Sequence, residues 1–174
     1  MKSLKKNVAV KAVICVKPAH LEEGENTVNF KELLKNDFVI LDGAMGTMIQ
    51  SKGLKLGDIP ELLGINEPDV IADIHKSYIE SGAQIVYTNT FGTNRYKLEN
   101  SGYTVNDIVP VAIENKKKAC EGTDCLVALD IGPIGQLLEP TGSLSFEEAY
   151  DIFKEQIVAG KDADVIVIET MTDL

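Results

Sequence analysis

Leu126-Val127-Ala128-Leu129-Asp130-Ile131-Gly132-Pro133 runs from four successive apolar residues straight into a carboxylate, then into a glycine and a proline. A strand that is apolar at every position, rather than at alternate ones, is one covered on both faces, as in a parallel sheet. Three other stretches have the same form: Phe38-Val39-Ile40-Leu41, Gln84-Ile85-Val86-Tyr87 and Val165-Ile166-Val167-Ile168. Each ends on polar residues, Asp42 after the first, Thr88-Asn89-Thr90 after the second and Glu169-Thr170 after the fourth.

Helical patterns lie between these strands. Asn66, Pro68 and Asp69 signal a helix start, Ile71, Ile74 and Tyr78 recur at helical spacing, and Gly82 marks the stop. A second helix is predicted over Asn106 to Cys120, with Val109, Ile113, Lys116 and Cys120 on successive turns. A third opens on the capping box Ser145-x-x-Glu148 and runs to Gly160. Strands alternating with helices make an α/β chain with a parallel sheet. The extra length beyond a minimal βα unit follows the strands, in Asp42 to Pro60, Asn89 to Tyr103 and Asp130 to Leu144. Long loops at the carboxyl edge of such a sheet build binding sites, so the site is expected there.

A carboxylate at a strand mouth is costly to desolvate unless a donor or cation meets it. Asp42, Asp130 and Glu169 therefore point to a ligand ammonium, or else to helix caps and backbone amides. Gly43 and Gly46 permit positive φ and close backbone approach to a ligand. Arg95, the only arginine, is suited to a substrate carboxylate or to a solvated surface.

Composition narrows the class. The 174 residues are 44% hydrophobic and 25% charged with a formal net charge of −10, ordinary globular material without the basic footprint that nucleic acid or an anionic membrane requires. No apolar run approaches the ~20 residues of a membrane span. Three cysteines are too few and too odd for a secreted disulfide framework, which points to the cytoplasm. The first twenty residues hold five lysines and no acid around Val8 to Val16, but Lys11 interrupts the apolar run and no cleavage site follows. An edge strand or a loose basic arm is the expectation for them.

Asp42-Gly43-Ala44-Met45-Gly46-Thr47-Met48, Thr88-Asn89-Thr90-Phe91-Gly92-Thr93-Asn94, Asp130-Ile131-Gly132-Pro133-Ile134-Gly135 and Ile168-Glu169-Thr170-Met171-Thr172-Asp173-Leu174 resemble, in order and spacing, four signatures of the homocysteine S-methyltransferase family. Leu137-Leu138-Glu139-Pro140 and Leu144-Ser145-Phe146-Glu147-Glu148 are most similar to the homocysteine-binding domain of its cobalamin-dependent members. The likeness spans Phe30 to Leu174. It implies the amino-terminal half of a (β/α)₈ TIM barrel, strands one to four, with residues 1–29 a basic extension of unknown role.

The resemblance also implies part of a methyltransferase that forms methionine on the homocysteine thiol, this segment supplying half of the pocket. Asp42 and Glu169 would hold the amino group, with Gly43, Ala44, Asn89, Thr90 and Asp130 shaping the site. Zinc is expected in a full-length parent, its three thiolate ligands lying beyond Leu174. Cobalamin and methyltetrahydrofolate would bind other domains. Cys120 reads as a buried structural thiol, Cys125 lies at the wrong edge of its strand, and His75 reads as a packed or surface residue, so no metal site is expected here. The other hypothesis is a noncatalytic half-barrel binding or assembly module. Open strand edges predict self-association, or pairing with the missing half of a barrel.

Overall fold

The computed structural model describes residues 13–16, 30–53 and 58–171. In chain order the elements are β1 (Val13–Val16), α1 (Phe30–Leu33), α2 (Met45–Ser51), α3 (Leu63–Asn66), α4 (Pro68–Glu80), β2 (Ile85–Tyr87), α5 (Val105–Cys120), β3 (Leu126–Ile131), α6 (Phe146–Ala159) and β4 (Val165–Ile168). A single 3₁₀ turn, Pro60–Leu62, precedes α3.

The sheet order is β1-β4-β3-β2, with β2, β3 and β4 parallel. Helices α5 and α6 make the crossovers, which parallel neighbours require. One face of the sheet carries Ile85, Leu126, Ala128, Val165 and Val167, packed on Phe30 and Leu33 of α1. The other carries Leu129 and Ile131 against Val105, Val109 and Ile113 of α5. All six β3 residues are buried, the four apolar ones that open the strand and Asp130 with them.

Local chemistry sets the helix ends. Ser145 Oγ accepts the Glu148 amide at 3.2 Å, and Glu148 Oε2 accepts the Ser145 amide at 3.3 Å, so two otherwise orphaned donors are satisfied reciprocally. Thr104 and Asp107 form the same box at the start of α5. Pro110 lies in the second turn of α5 without ending it.

The predicted strand Phe38–Leu41 needs correction, because it forms only a parallel bridge from Leu41 to Ile85. The Ile40 carbonyl accepts both the Gln84 and Ile85 amides, at 2.8 and 3.3 Å. The Ile40 amide in turn donates to the Gln84 side chain at 3.0 Å, so the backbone ladder stops there. Pairing is on one side only among the described residues, and Phe38 is 72% exposed. The Asp42 to Pro60 stretch, expected as loop, holds helix α2.

Val13–Val16 is the edge strand of the two alternatives the sequence allows. It runs antiparallel to β4, from Val13 opposite Ile168 to Val16 opposite Val165. The rest of the stretch from Val8 lies outside the described residues. An unpaired strand edge invites association, and β1 covers the edge of β4. Alternate residues of an antiparallel strand turn their N–H groups to the partner, so proline at both Ile14 and Cys15 removes a donor facing β4. The double variant should form larger oligomers at micromolar concentration than the parent, as read by light scattering. Identical scattering from the two proteins would show that β1 protects nothing.

Candidate functional site

The carboxyl ends of the strands bring the expected polar residues to one edge of the sheet. Tyr87, at the end of β2, is pushed up to about 12 by burial and then by the charges of Glu169, Asp130 and Asp42, so these four groups share one electrostatic neighbourhood.

Asp130 is the least satisfied member. It is 7% exposed, and its Oδ1 has no hydrogen-bond partner among the described residues. Burial raises its pKa to about 8, helped by the carboxylates of Glu169, Asp42 and Glu61. Glu169 is also raised, by burial and then by Asp42.

A closed hydrogen-bond ring fixes the Asp130 backbone. The Asp130 amide donates to Thr88 Oγ1 at 3.1 Å, the Thr88 and Thr90 hydroxyls meet at 2.7 Å, and the Thr90 hydroxyl donates to the Asp130 carbonyl at 2.8 Å. Asn89 is tied by its Nδ2 to the Pro60 carbonyl at 2.7 Å. These residues are buried, so the loop after β2 is rigidly seated beside the acid.

Asp42 has found its cation within the chain. Its Oδ2 accepts the Tyr87 amide at 3.0 Å and lies 3.5 Å from the Lys116 ammonium. Lys116 is wholly buried and also bonded to His75 Nδ1. Burial lowers Lys116 to about 8 against the pull of Asp42. Burial likewise raises Asp42 despite Lys116. His75 is held well below its ordinary value by burial and by the Lys116 charge, which leaves it neutral with Nδ1 as acceptor.

The reading of two glycines changes. Gly43 and Gly46 do not adopt positive φ. Gly43 is instead a packing requirement, since a Cβ there would come within 2.9 Å of the Tyr78 ring, whose hydroxyl donates to the Ala44 carbonyl at 3.2 Å. Of the two readings of Arg95 the structure takes the surface one, with the half-exposed side chain paired to Glu155 of α6 at 2.9 Å. The positive φ at this edge belongs to Thr170, at 58°, a strained conformation immediately after Glu169.

Sequence reasoning missed Tyr87, Glu61 and the Lys116–His75 pair as parts of this edge. Glu61 is buried and its Oε1 accepts the Gly92 amide at 2.6 Å. The lysine did leave a signal, as a charge standing in the apolar stripe of α5.

Among the described residues no group of three or more His, Cys, Asp or Glu side chains is arranged to hold a metal ion. Cys120 and Cys125 lie before β3 begins, across the strand from Asp130. They do not fit a zinc site at the mouth.

The family described as homocysteine S-methyltransferase matches residues 39–174. Methionine synthases from Mycobacterium leprae and Mycobacterium tuberculosis are each 35% identical over 161 residues, 82% of this chain and 13% of theirs. The chain thus spans about an eighth of the length of these relatives. The metallated form of the homocysteine methyltransferase MmuM from Escherichia coli has a similar structure, with a TM-score of 0.72 and 25% identity over 82% of this chain and 57% of that one. Its oxidised form, at 23% identity and a TM-score of 0.65, is a likeness of fold alone.

Proposed function

The chain belongs to the homocysteine S-methyltransferase family, and we propose that its strand-end acids hold the amino group of homocysteine in an enzyme that methylates the homocysteine thiol. The observation that carries this reading is Asp130: a buried carboxylate oxygen without a hydrogen-bond partner among the described residues, crowded by like charges. A cation relieves that arrangement without protonating it, and the ammonium of an amino acid supplies both charge and N–H donors.

Asp130 and Glu169 would contact the ammonium. Asp42, already neutralised by Lys116, would shape the pocket with Gly43, Ala44, Asn89 and Thr90. In the fold we infer, residues 30–174 are strands one to four of a (β/α)₈ barrel and supply half of the pocket, with residues 1–29 an extension. Zinc would activate the thiol in a longer parent, through ligands that these residues do not provide. A cobalamin- or methyltetrahydrofolate-linked donor would bind other domains, in a cytoplasmic protein. Among the described residues no helix is long and apolar enough to cross a membrane.

Calorimetric titration with homocysteine tests the assignment. Glu169→Gln and Asp130→Asn should each weaken binding by about 1.5 to 3 kcal/mol, the worth of a charge-assisted hydrogen bond. Equal affinity for parent and both variants would exclude these acids from the site.

One observation favours a second reading, a noncatalytic binding or assembly module. β1 occupies the edge of β4 where a fifth parallel strand of a barrel would pair. Methyl transfer by a longer protein that retains β1 on that edge would remove this objection.

A further inference from the structure

We propose that Cys120 and Cys125 are a redox modification site, forming a reversible intrachain disulfide at the edge of the sheet opposite the strand-end acids. Cys120 is the last residue of α5, and the chain turns back on itself immediately after it, with Gly122 at φ +75°. The Thr123 amide and hydroxyl both donate to the Cys120 carbonyl, at 3.0 and 2.8 Å. The Cys125 amide then donates to Thr123 Oγ1 at 3.3 Å. This turn folds Cys125 onto Cys120, and the two side chains pack in one cluster with Ala83, Val86 and Val127.

Neither cysteine is in a disulfide, and Cys125 Sγ donates to the Leu126 carbonyl at 3.8 Å beside Cys120. Their proximity divides their roles. Cys120 is held below the ordinary thiol value by the neighbouring Cys125 thiol, against burial and with help from the Lys116 charge. Cys125 is pushed up by the Cys120 thiol and by burial. The thiolate is the reactive form, so Cys120 is the nucleophile and Cys125 the resolving thiol. Cys120 is 8% exposed and Cys125 half-buried.

With hydrogen peroxide as that oxidant, the Cys120 sulfur attacks one peroxide oxygen and the O–O bond breaks. The departing hydroxide takes up the Cys120 proton as water, leaving a sulfenic acid. The Cys125 sulfur then attacks the Cys120 sulfur, the S–O bond breaks, and a second water leaves with the Cys125 proton. Two thiols are oxidised and one peroxide is reduced to two waters. A dithiol reductant reverses the change by exchange.

The test uses the 174-residue chain, reduced and then exposed to hydrogen peroxide, with the remaining thiols alkylated before tryptic mapping. The peptide that follows Lys118 carries both cysteines. It should lose two hydrogens in mass and become unreactive to the alkylating agent, and a dithiol reductant should restore it. A Cys15→Ser background removes the third thiol from competition. In Cys125→Ser the reaction should stop at a Cys120 sulfenic acid that dimedone captures. In Cys120→Ser, oxidation of Cys125 should slow at least tenfold. Full alkylation of both cysteines after peroxide, or a disulfide only to Cys15 or between chains, would overturn the proposal.

Discussion

Replacing Lys116 with methionine should destabilise the fold by about 3 to 5 kcal/mol, the usual result of removing one partner of a buried ion pair. The side chain is completely buried, with its ammonium between Asp42 and His75. Methionine matches its length and apolar stem, so little is lost in packing. What is lost is the charge that lets a desolvated carboxylate stay ionised. Asp42 would keep backbone amides, that of Tyr87 foremost, but no cation among the described residues. Asp42→Asn should therefore restore much of the stability in the Lys116→Met background, although it destabilises the parent. A double-mutant cycle by urea denaturation measures the coupling, which such pairs place between about 0.5 and 3 kcal/mol. A midpoint for Lys116→Met equal to that of the parent, or additive effects in the double variant, would show that the pair contributes nothing.

The ion pair also marks the limit of what the residues disclose in linear order. Strand β4 could be read to the residue, because Val165 to Ile168 is bounded by polar chain and has no competing helical period. Helix α6 could be read almost as closely, since its capping box and Gly160 are local signals that need no tertiary partner. Phe38 to Leu41 has equal apolar content, yet it forms a single bridge, because a strand exists only where neighbours pair with its backbone. Helix α2 was hidden for the opposite reason: Ala44 supplies no side-chain cap and Gly46 lies in its first turn.

The candidate site divides in the same way. The acids at the strand ends stand out because each interrupts an apolar run. Which of them is already neutralised does not, because Asp42 meets a lysine 74 residues later, through the packing of α5 on the sheet. The lysine's place among Val109, Ile113 and Cys120 showed only that it faced inward. The family itself was legible through four linked motifs and not through physical chemistry, which points to a cationic ligand and no further.

Asp130→Asn should stabilise the free chain, and the gain should grow with pH. The unfolded carboxyl titrates near 3.8 and the folded one near 8. Between those values the folded state binds more protons than the unfolded state, so stability falls as pH rises across that interval. Asparagine cannot ionise, and its shape matches that of the acid, whose Oδ1 makes no hydrogen bond among the described residues. The difference in unfolding free energy between variant and parent should be small near pH 4 and exceed about 1 kcal/mol by pH 8, where a single unit of pKa shift corresponds to ~1.4 kcal/mol. Thermal melts at intervals across that range decide it. A constant difference between the two proteins would mean that Asp130 titrates normally and that its burial is relieved by solvent. The same substitution is expected to weaken homocysteine binding, and the opposed signs distinguish a binding group from a structural one. A structural acid loses stability when neutralised, whereas an acid kept for a cation gains it until the cation arrives. Saturating homocysteine should therefore narrow or reverse the advantage of the variant, because ligand binding stabilises the parent by mass action more than it stabilises the weaker binder.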